Sequence, residues 1–403
     1  MAKNICIVSE LYYPETTSTG HFLTGIAEGL AKTWSVRVIC SQPTYSAYGI
    51  RAPKSEVCNG VEILRVYSPL LDKDVLLFRM LNLLVFSVSV FLNLLRRITT
   101  NSIVIVVTNP PTIPFVVTLA CMFRRAKCIL LVHDVYPEVL VSAGLASEGS
   151  WVIMLLNRLS RWLYNRMAAI VVIGRDMERL VRQKIGSAHR IELIPNWADL
   201  EEIRPTPRSQ NQLLRRLGLV DKFVVQYSGN MGRTHGLEDI LVAAQMLIDD
   251  PRIRFLLIGA GSRKGWLIAE VARLQLQNVI VLHLQDRDAL CDSLNAADVA
   301  VISFLPGMSG VSVPSRMYNV LAAGKPIVAI ADVDSELGTL VVEKQVGWVV
   351  PPHSTASLSR VLRSATQDGI GLATMAQRAR RVVENEYGIE QVIAKYSALI
   401  EGL

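Results

Sequence analysis

The sequence predicts an α/β protein of two doubly wound parallel sheets, each with helices packed on both faces. Three observations carry this. Strand-like, β-branched runs alternate with helix-length amphipathic segments in both halves of the chain, which is the signature of parallel βαβ units and not of a sandwich or a bundle. The alternation restarts after a polar, proline-bearing stretch near the middle. At 403 residues the chain is also longer than one hydrophobic core comfortably supports, so two domains of ordinary size are expected.

In the first half the runs Asn4–Val8, Val36–Cys40, Val61–Val66, Ile103–Val107, Cys128–Val132, Ala169–Ile173 and Arg190–Ile194 read as strands. The second half repeats the pattern with Phe223–Ser228, Arg254–Ile258, Val279–Leu282, Val299–Ser303, Pro326–Ile330 and Gly347–Val350. Between them Leu200–Asn211 is polar and carries Pro205 and Pro207, a poor interior for either element. Residues 1–199 are therefore assigned to a first domain and 212–384 to a second. A helical pattern from about Gly371 to Leu403 supplies a terminal helix, residues 385–403.

Composition narrows the class. The chain is 51% hydrophobic with mean hydropathy +0.33, rich enough for some contact with lipid. Six cysteines form no CxxC pair and have no histidine at zinc-ligand spacing, so neither a metal site nor a disulfide frame is expected and a reducing compartment is. A net charge of +7 suggests a polyanionic partner without choosing among nucleic acid, anionic lipid and phosphorylated small molecules. From Met1 the chain enters strand pattern at once, so no secretory signal is expected.

Met80–Leu95 is apolar, begins after Arg79 and ends at Arg96-Arg97. At a spanning requirement of about 20 residues it is short. A buried helix of the first sheet, a monotopic helix dipping into one leaflet and a true span all remain open. Basic residues at Arg124, Arg125, Lys127, Arg158, Arg161 and Arg166, near Trp151 and Trp162, favour the membrane, since basic charge beside apolar surface attracts anionic lipid.

Ligands of doubly wound sheets bind beyond the carboxyl ends of the strands, and four segments fall there. The first is Tyr12-Tyr13-Pro14-Glu15 with small residues to Gly20, opening a helix expected from His21 to Lys32; it suits phosphate or acceptor approach, or a plain βα turn. No GxGxxG is present, which makes a dehydrogenase an unsuitable reading. The second is His133-Asp134-Val135-Tyr136-Pro137-Glu138, a His-Asp pair where a functional residue is expected, although a lone histidine is commonly structural. Ile194–Asp199 closes the first half and equally suits packing of the hinge. In the second half Gly229-Asn230-Met231-Gly232-Arg233-Thr234-His235-Gly236 offers close backbone approach, with Arg233 and His235 able to meet phosphate oxygens. The turn Gly259-Ala260-Gly261-Ser262 suits ligand contact or simple tightness. The most informative segment is Gly310–Pro326: small residues free backbone amides at a helix start, and Arg316 sits in the first turn, where a cation opposes the helix dipole and a bound anion would compensate it.

Taken together, these motifs resemble the family-4 retaining glycosyltransferases of the GT-B fold, especially the subgroup that makes bacterial surface polysaccharide. The resemblance covers nearly the whole chain, including Pro314-Ser315-Arg316 through Ala322-Ala323-Gly324-Lys325-Pro326. It implies two Rossmann-like domains facing a central cleft, the first receiving the acceptor, the second holding the nucleotide, and the last helix crossing back to the first. It implies that His133 lies beside the donor sugar and that Gly20 leaves room for phosphate. The family's two glutamates correspond to Val311 and Asn319, and its diphosphate Arg and Lys to Asn230 and His235. Asn319 can still bond a ribose hydroxyl, whereas Val311 cannot.

The expectation is therefore a retaining glycosyltransferase of hexosyl- or N-acetylhexosaminyl-transferase type, without cofactor or metal, working at the inner face of the cytoplasmic membrane. His133 and Arg316 are the catalytic candidates. Gly20, Gly229, Asn230, Arg233, His235, Gly259, Gly261, Ser312, Val313, Pro314, Ser315 and Asn319 are the donor-binding candidates. The expected partners are a nucleotide-sugar donor and a lipid-linked saccharide acceptor, with no nucleic acid. A non-hydrolysing sugar-nucleotide epimerase, which would turn over donor alone, and a non-catalytic nucleotide-sugar or lipid-binding protein, suggested by Val311 and Asn319, are the rival classes.

Overall fold

The β-branched runs of the first half form an eight-stranded sheet: β1 Asn4–Val8, β2 Ser35–Cys40, β3 Ser55–Cys58, β4 Val61–Arg65, β5 Ser102–Val107, β6 Lys127–Val132, β7 Ala169–Val172 and β8 Ile191–Leu193. The structure, a computed structural model, describes residues 3–44, 51–69, 71–72, 75–186 and 189–403. Met1 and Ala2, from which the N-terminus was read, lie outside them. The strand order is β3-β4-β2-β1-β5-β6-β7-β8, with β1 paired in parallel to both β2 and β5. Helices α1 Ser18–Ala31, α2 Leu76–Arg97, α3 Ile113–Arg124, α4 Glu138–Ser142, α5 Trp151–Tyr164 and α6 Arg175–Ile185 make the connections. Central strands such as β5 are buried along their whole length, as expected where helices cover both faces.

The second half builds a six-stranded parallel sheet of order β11-β10-β9-β12-β13-β14. Its elements are α7 Gln212–Leu217, β9 Phe223–Asn230, α8 Leu237–Met246, β10 Ile253–Ala260, α9 Lys264–Arg273, β11 Val279–Leu282, α10 Leu290–Asn295, β12 Val299–Ser303, α11 Arg316–Ala322, β13 Ile327–Ile330, α12 Glu336–Lys344, β14 Gly347–Val350, α13 Thr355–Ala365 and α14 Gly369–Glu386, before the terminal α15 Ile389–Glu401. Contacts divide the chain into one unit of Met1–Glu138, Ser147–Pro195 and Glu390–Leu403, and another of Val139–Ala146 and Asn196–Ile389. Sequence reading did not separate Val139–Ala146 from its neighbours. α15 packs on α1, where a Cβ at Gly29 would come 2.6 Å from Ile393, and Lys3 Nζ donates to Ile400 O at 2.7 Å. α14 serves the second unit: Arg380 Nη1 donates to Ala322 O at 2.9 Å, pairing a carbonyl left over at the end of α11.

Several expectations are corrected. β3 was not foreseen, because Ser55-Glu56-Val57-Cys58 has no apolar run; it is the antiparallel arm of a hairpin with β4. The signal was Asn59-Gly60, both at positive φ (48° and 80°), as a two-residue hairpin turn requires. α1 starts at Ser18 instead of His21, because Thr17 caps it by accepting from Gly20 N at 3.4 Å. β9 and β10 run past their apolar cores into the glycines, pairing Gly229 with Gly259 and Asn230 with Ala260, so these residues lie in strands and not in loops. α14 begins at Gly369, two residues before the expected start. α2 extends beyond Met80–Leu95 at both ends. One stripe of it, Asn82, Phe86, Val90 and Leu94, is buried in the first unit. The opposite stripe is exposed, so the fully buried reading of this segment does not hold.

Candidate active site

In the second unit chain order reverses at β9, which lies between β10 and β12, and such a switch point is where doubly wound sheets bind ligands. Among the described residues β9 and β12 pair only at Val225–Val299 and Gln226–Ala300. Beyond that register, Arg316 occupies the opening. Its guanidinium lies 4.5 Å from the centre of the Tyr227 ring. Nη2 donates to His235 Nδ1 at 2.9 Å and more weakly to Ser303 O at 3.4 Å. Nε and Nη1 are buried and have no protein partner.

The chemistry of this group follows from its donors. Arginine has no acceptor, so His235 Nδ1 must accept and the ring carries its proton on Nε2. Burial first, and then the charge of Arg316, push the His235 pKa down to about 3, against an opposing hydrogen bond with the Ser303 backbone. The histidine is thus a neutral orienter of Arg316 and adds no charge of its own to an anion. Two buried cationic N–H groups without partners form a receptor for anionic oxygens. The helix start contributes less than the sequence suggested, because α11 has only seven residues and its Ser315 cap makes no side-chain cap bond.

The other candidates fall into distinct roles. Gly229 sits at φ +142°, and a Cβ there would lie 3.0 Å from Arg316 Nη1, so its lack of a side chain makes room for the guanidinium. Asn230 ends β9, and Tyr227 Oη donates to its carbonyl at 2.5 Å. Gly259 and Gly261 answer to backbone packing: a Cβ on Gly259 would stand 2.0 Å from Gly229 O, and one on Gly261, at φ +145°, 2.6 Å from Met231 O. Arg233 is exposed, whereas Val313 and Pro314 are buried, and the Pro314 carbonyl accepts from Met317 N at 3.0 Å. Ser312, Ser315 and Asn319 are half-exposed. Val311 is buried. Tyr227 and Ser303 were missed as site residues; Ser303 is a polar residue closing an apolar strand at the carboxyl edge of the sheet, which was the available signal, whereas Tyr227 lies inside β9.

In the first unit the switch point is β1 against β5. At the end of β1, Gly20 lies in the first turn of α1, where a Cβ would come 2.8 Å from Glu15 O. Arg65, fully buried, donates from Nη2 to Tyr13 O at 2.8 Å and holds that loop. His133 follows β6, and Thr108 at the end of β5 fixes it: Thr108 Oγ1 accepts from His133 N at 3.1 Å and from Asp134 N at 3.3 Å. His133 Nε2 is buried without a protein partner, and burial lowers its pKa to about 4, so the ring is neutral with one nitrogen available to a ligand. Lys184, on α6, completes the support. Its side chain is 7% exposed, and Nζ donates to both Glu138 carboxylate oxygens at 2.6 Å and to Tyr136 O at 3.1 Å. Thr108 and Lys184 lie far from His133 in sequence and offered no local signal.

The same two halves are recognised by comparison. A family model described as glycosyl transferase 4-like domain matches residues 19–197, and one described as glycosyl transferases group 1 matches residues 210–382. The chain is 33% identical over 301 residues to the probable glycosyltransferase WbjE of Pseudomonas aeruginosa, covering 73% of each protein. It is 28% identical to the putative colanic acid biosynthesis glycosyl transferase WcaI of Escherichia coli K12, over 95% of this chain and 97% of the relative. Among solved structures, Anabaena HepE in complex with UDP-glucose superposes with a TM-score of 0.75 at 15% identity, over 99% of this chain and 100% of the other. Both halves being matched in this order, with two parallel sheets that carry their charged and histidine residues at the strand ends, the chain belongs to the family-4 glycosyltransferases of the GT-B fold.

Proposed function

We propose that this glycosyltransferase moves a sugar from a nucleoside diphosphate donor to a lipid-linked saccharide in the building of a bacterial surface polysaccharide, with retention of anomeric configuration. One observation carries the donor half of this reading: Arg316, wedged between Tyr227 and His235, keeps two buried N–H groups without protein partners. A diphosphate supplies the oxygens they lack. The UDP-glucose named with HepE supports the donor class, and the colanic acid named for WcaI supports the product class.

On this reading the bond from the anomeric carbon to the diphosphate breaks with its electron pair passing to the diphosphate oxygen. Arg316, with Arg233 and the backbone N–H groups of Ser312, Val313 and Ser315, stabilises that charge in place of a metal ion. An acceptor hydroxyl then bonds to the same face of the anomeric carbon, its proton passing to the departing diphosphate oxygen. His133, neutral and with Nε2 unpaired in the protein, hydrogen-bonds and aligns the transferred sugar. Asn319 serves the ribose. The enzyme works at the inner face of the cytoplasmic membrane, held peripherally or monotopically by the exposed stripe of α2.

Turnover of a panel of nucleotide sugars and acceptors by purified Arg316→Glu protein is the test. Loss of turnover with the fold intact supports the reading, and near-normal activity removes it. His133→Ala should lose catalysis while keeping donor binding. Epimer formed from donor alone would favour the epimerase class, and binding without turnover across the panel would favour a non-catalytic partner.

A further inference from the structure

The exposed stripe of α2 does not stand alone. Leu84 on α2 is 62% exposed, Phe123 on α3 73%, and Trp151 and Met154 on α5 71% and 62%. These helices are contiguous. Phe91 of α2 meets Phe123 of α3 edge-on at 6.2 Å, Phe115 of α3 stacks on Trp162 of α5 at 6.4 Å, and Arg124 Nε ties the end of α3 to Ile98 O beyond α2 at 3.0 Å. Exposed large apolar side chains thus run over three packed helices, and a contiguous exposed apolar patch marks an interaction surface.

Charge identifies what covers it. The chain has 35 acidic residues in 403, yet α2, α3 and α5 contain none, and their charged residues are Arg79, Arg96, Arg97, Arg124, Arg158 and Arg161. A second copy would set arginines against arginines, whereas an anionic bilayer takes both the arginines and the apolar side chains. On α5 an open groove of about 520 Å³ is lined by Met154, Leu155, Asn157, Arg158 and Arg161, matching a lipid with its phosphate at the arginines and its chain on the apolar side. The orientation of α2 is fixed as well. Phe86, Val90 and Leu94 are in the core of the unit, and a helix crossing the bilayer would have to withdraw them.

We propose that α2, α3 and α5 form one docking face that lies flat on an anionic membrane, with the α5 groove seating a lipid headgroup phosphate and α2 parallel to the bilayer plane. This rests on the membrane reading above and extends it from one helix to three.

The test is flotation of the full chain with vesicles of phosphatidylcholine alone or mixed with phosphatidylglycerol. Wild type is expected to float with the mixed vesicles and to be released by alkaline carbonate. Met154→Asp/Leu155→Asp on α5 and Leu84→Asp/Val88→Asp on α2 should each reduce the bound fraction at least tenfold with unchanged thermal melting. Arg158→Gln/Arg161→Gln should cut the preference for anionic vesicles by roughly fivefold per arginine. If wild type floats with neither vesicle, the membrane reading itself fails. If the α2 variant is released while both α5 variants bind normally, membrane association stands and the three-helix face is wrong. Resistance to carbonate would overturn the flat orientation, and a homodimer dispersed by the same substitutions without vesicle binding would make the face a self-interface.

Discussion

Replacing Arg316 by methionine separates a binding arginine from a structural one. The side chain loses a charge-assisted hydrogen bond to His235 at 2.9 Å, on the order of 2 kcal/mol, and a cation–π contact with Tyr227 at 4.5 Å, about 1 kcal/mol. It also removes two buried donors that have no protein partner, each costing roughly 1–3 kcal/mol in the nucleotide-free protein. The losses come to about 3 kcal/mol and the relief to roughly 2–6 kcal/mol, so unfolding stability should fall between a loss of about 1 kcal/mol and a gain of about 3 kcal/mol, against the roughly 3–5 kcal/mol lost when a paired buried charge is broken. Nucleoside diphosphate binding should fall about a hundredfold, the loss of roughly 3 kcal/mol of charge-assisted bonding. Urea unfolding without nucleotide gives the first quantity and titration calorimetry with a nucleoside diphosphate the second. A stability loss of 3 kcal/mol or more by the same scale, with nucleotide affinity unchanged, would show that Arg316 holds the fold and not the donor.

Other outcomes follow from the same geometry. Lys184→Met strands Glu138 beside the His133 loop and should cost about 3 kcal/mol. It should also lower kcat more than nucleotide affinity, and the Lys184→Met/Glu138→Gln double variant should lose less than the sum of the singles. His133 and His235 have folded pKa values near 4 and 3, below the ordinary 6.5. Above pH 6.5 neither folded nor unfolded rings are charged; as pH falls from 6.5 towards 4 only the unfolded chain takes up these protons, so stability is lost across that window, and thermal melting of His133→Asn should show a shallower fall. Gly259→Ala must displace Gly229 O, 2.0 Å from the new Cβ, and should cost about 3 kcal/mol or prevent folding. Gly265→Ala, with nothing within 4 Å of its Cβ, should change stability by less than about 1 kcal/mol in the same melting assay.

What the sequence disclosed depended on whether the controlling interaction was local. The buried runs at Ile103–Val107 and Val299–Ser303 became strands because apolar, β-branched composition is what a doubly covered parallel strand requires. Ser55–Cys58 lacks that composition and owes its strand to pairing with Val61–Leu64, so the Asn59-Gly60 turn was its one local trace. The extension of β9 to Asn230 was likewise set by a neighbour, since Gly229 and Asn230 continue the ladder only because Gly259 and Ala260 lie beside them.

At the site, position in the fold was legible and partnership was not. A histidine after β6 and an arginine opening α11 could be placed at strand and helix ends from the chain alone. That Thr108 would hold the backbone of His133, or Lys184 its loop, depends on packing between elements distant in sequence. The motif positions divide on the same principle. Val311 stands where a polar ligand contact was sought, but it is buried, so that position is spent on the core and donor recognition must rest on groups that kept their polar atoms. Of these, Arg316 is distinguished by having been desolvated without being paired: Tyr227 and His235 fix its direction, and two of its nitrogens are left for an anion from outside the protein.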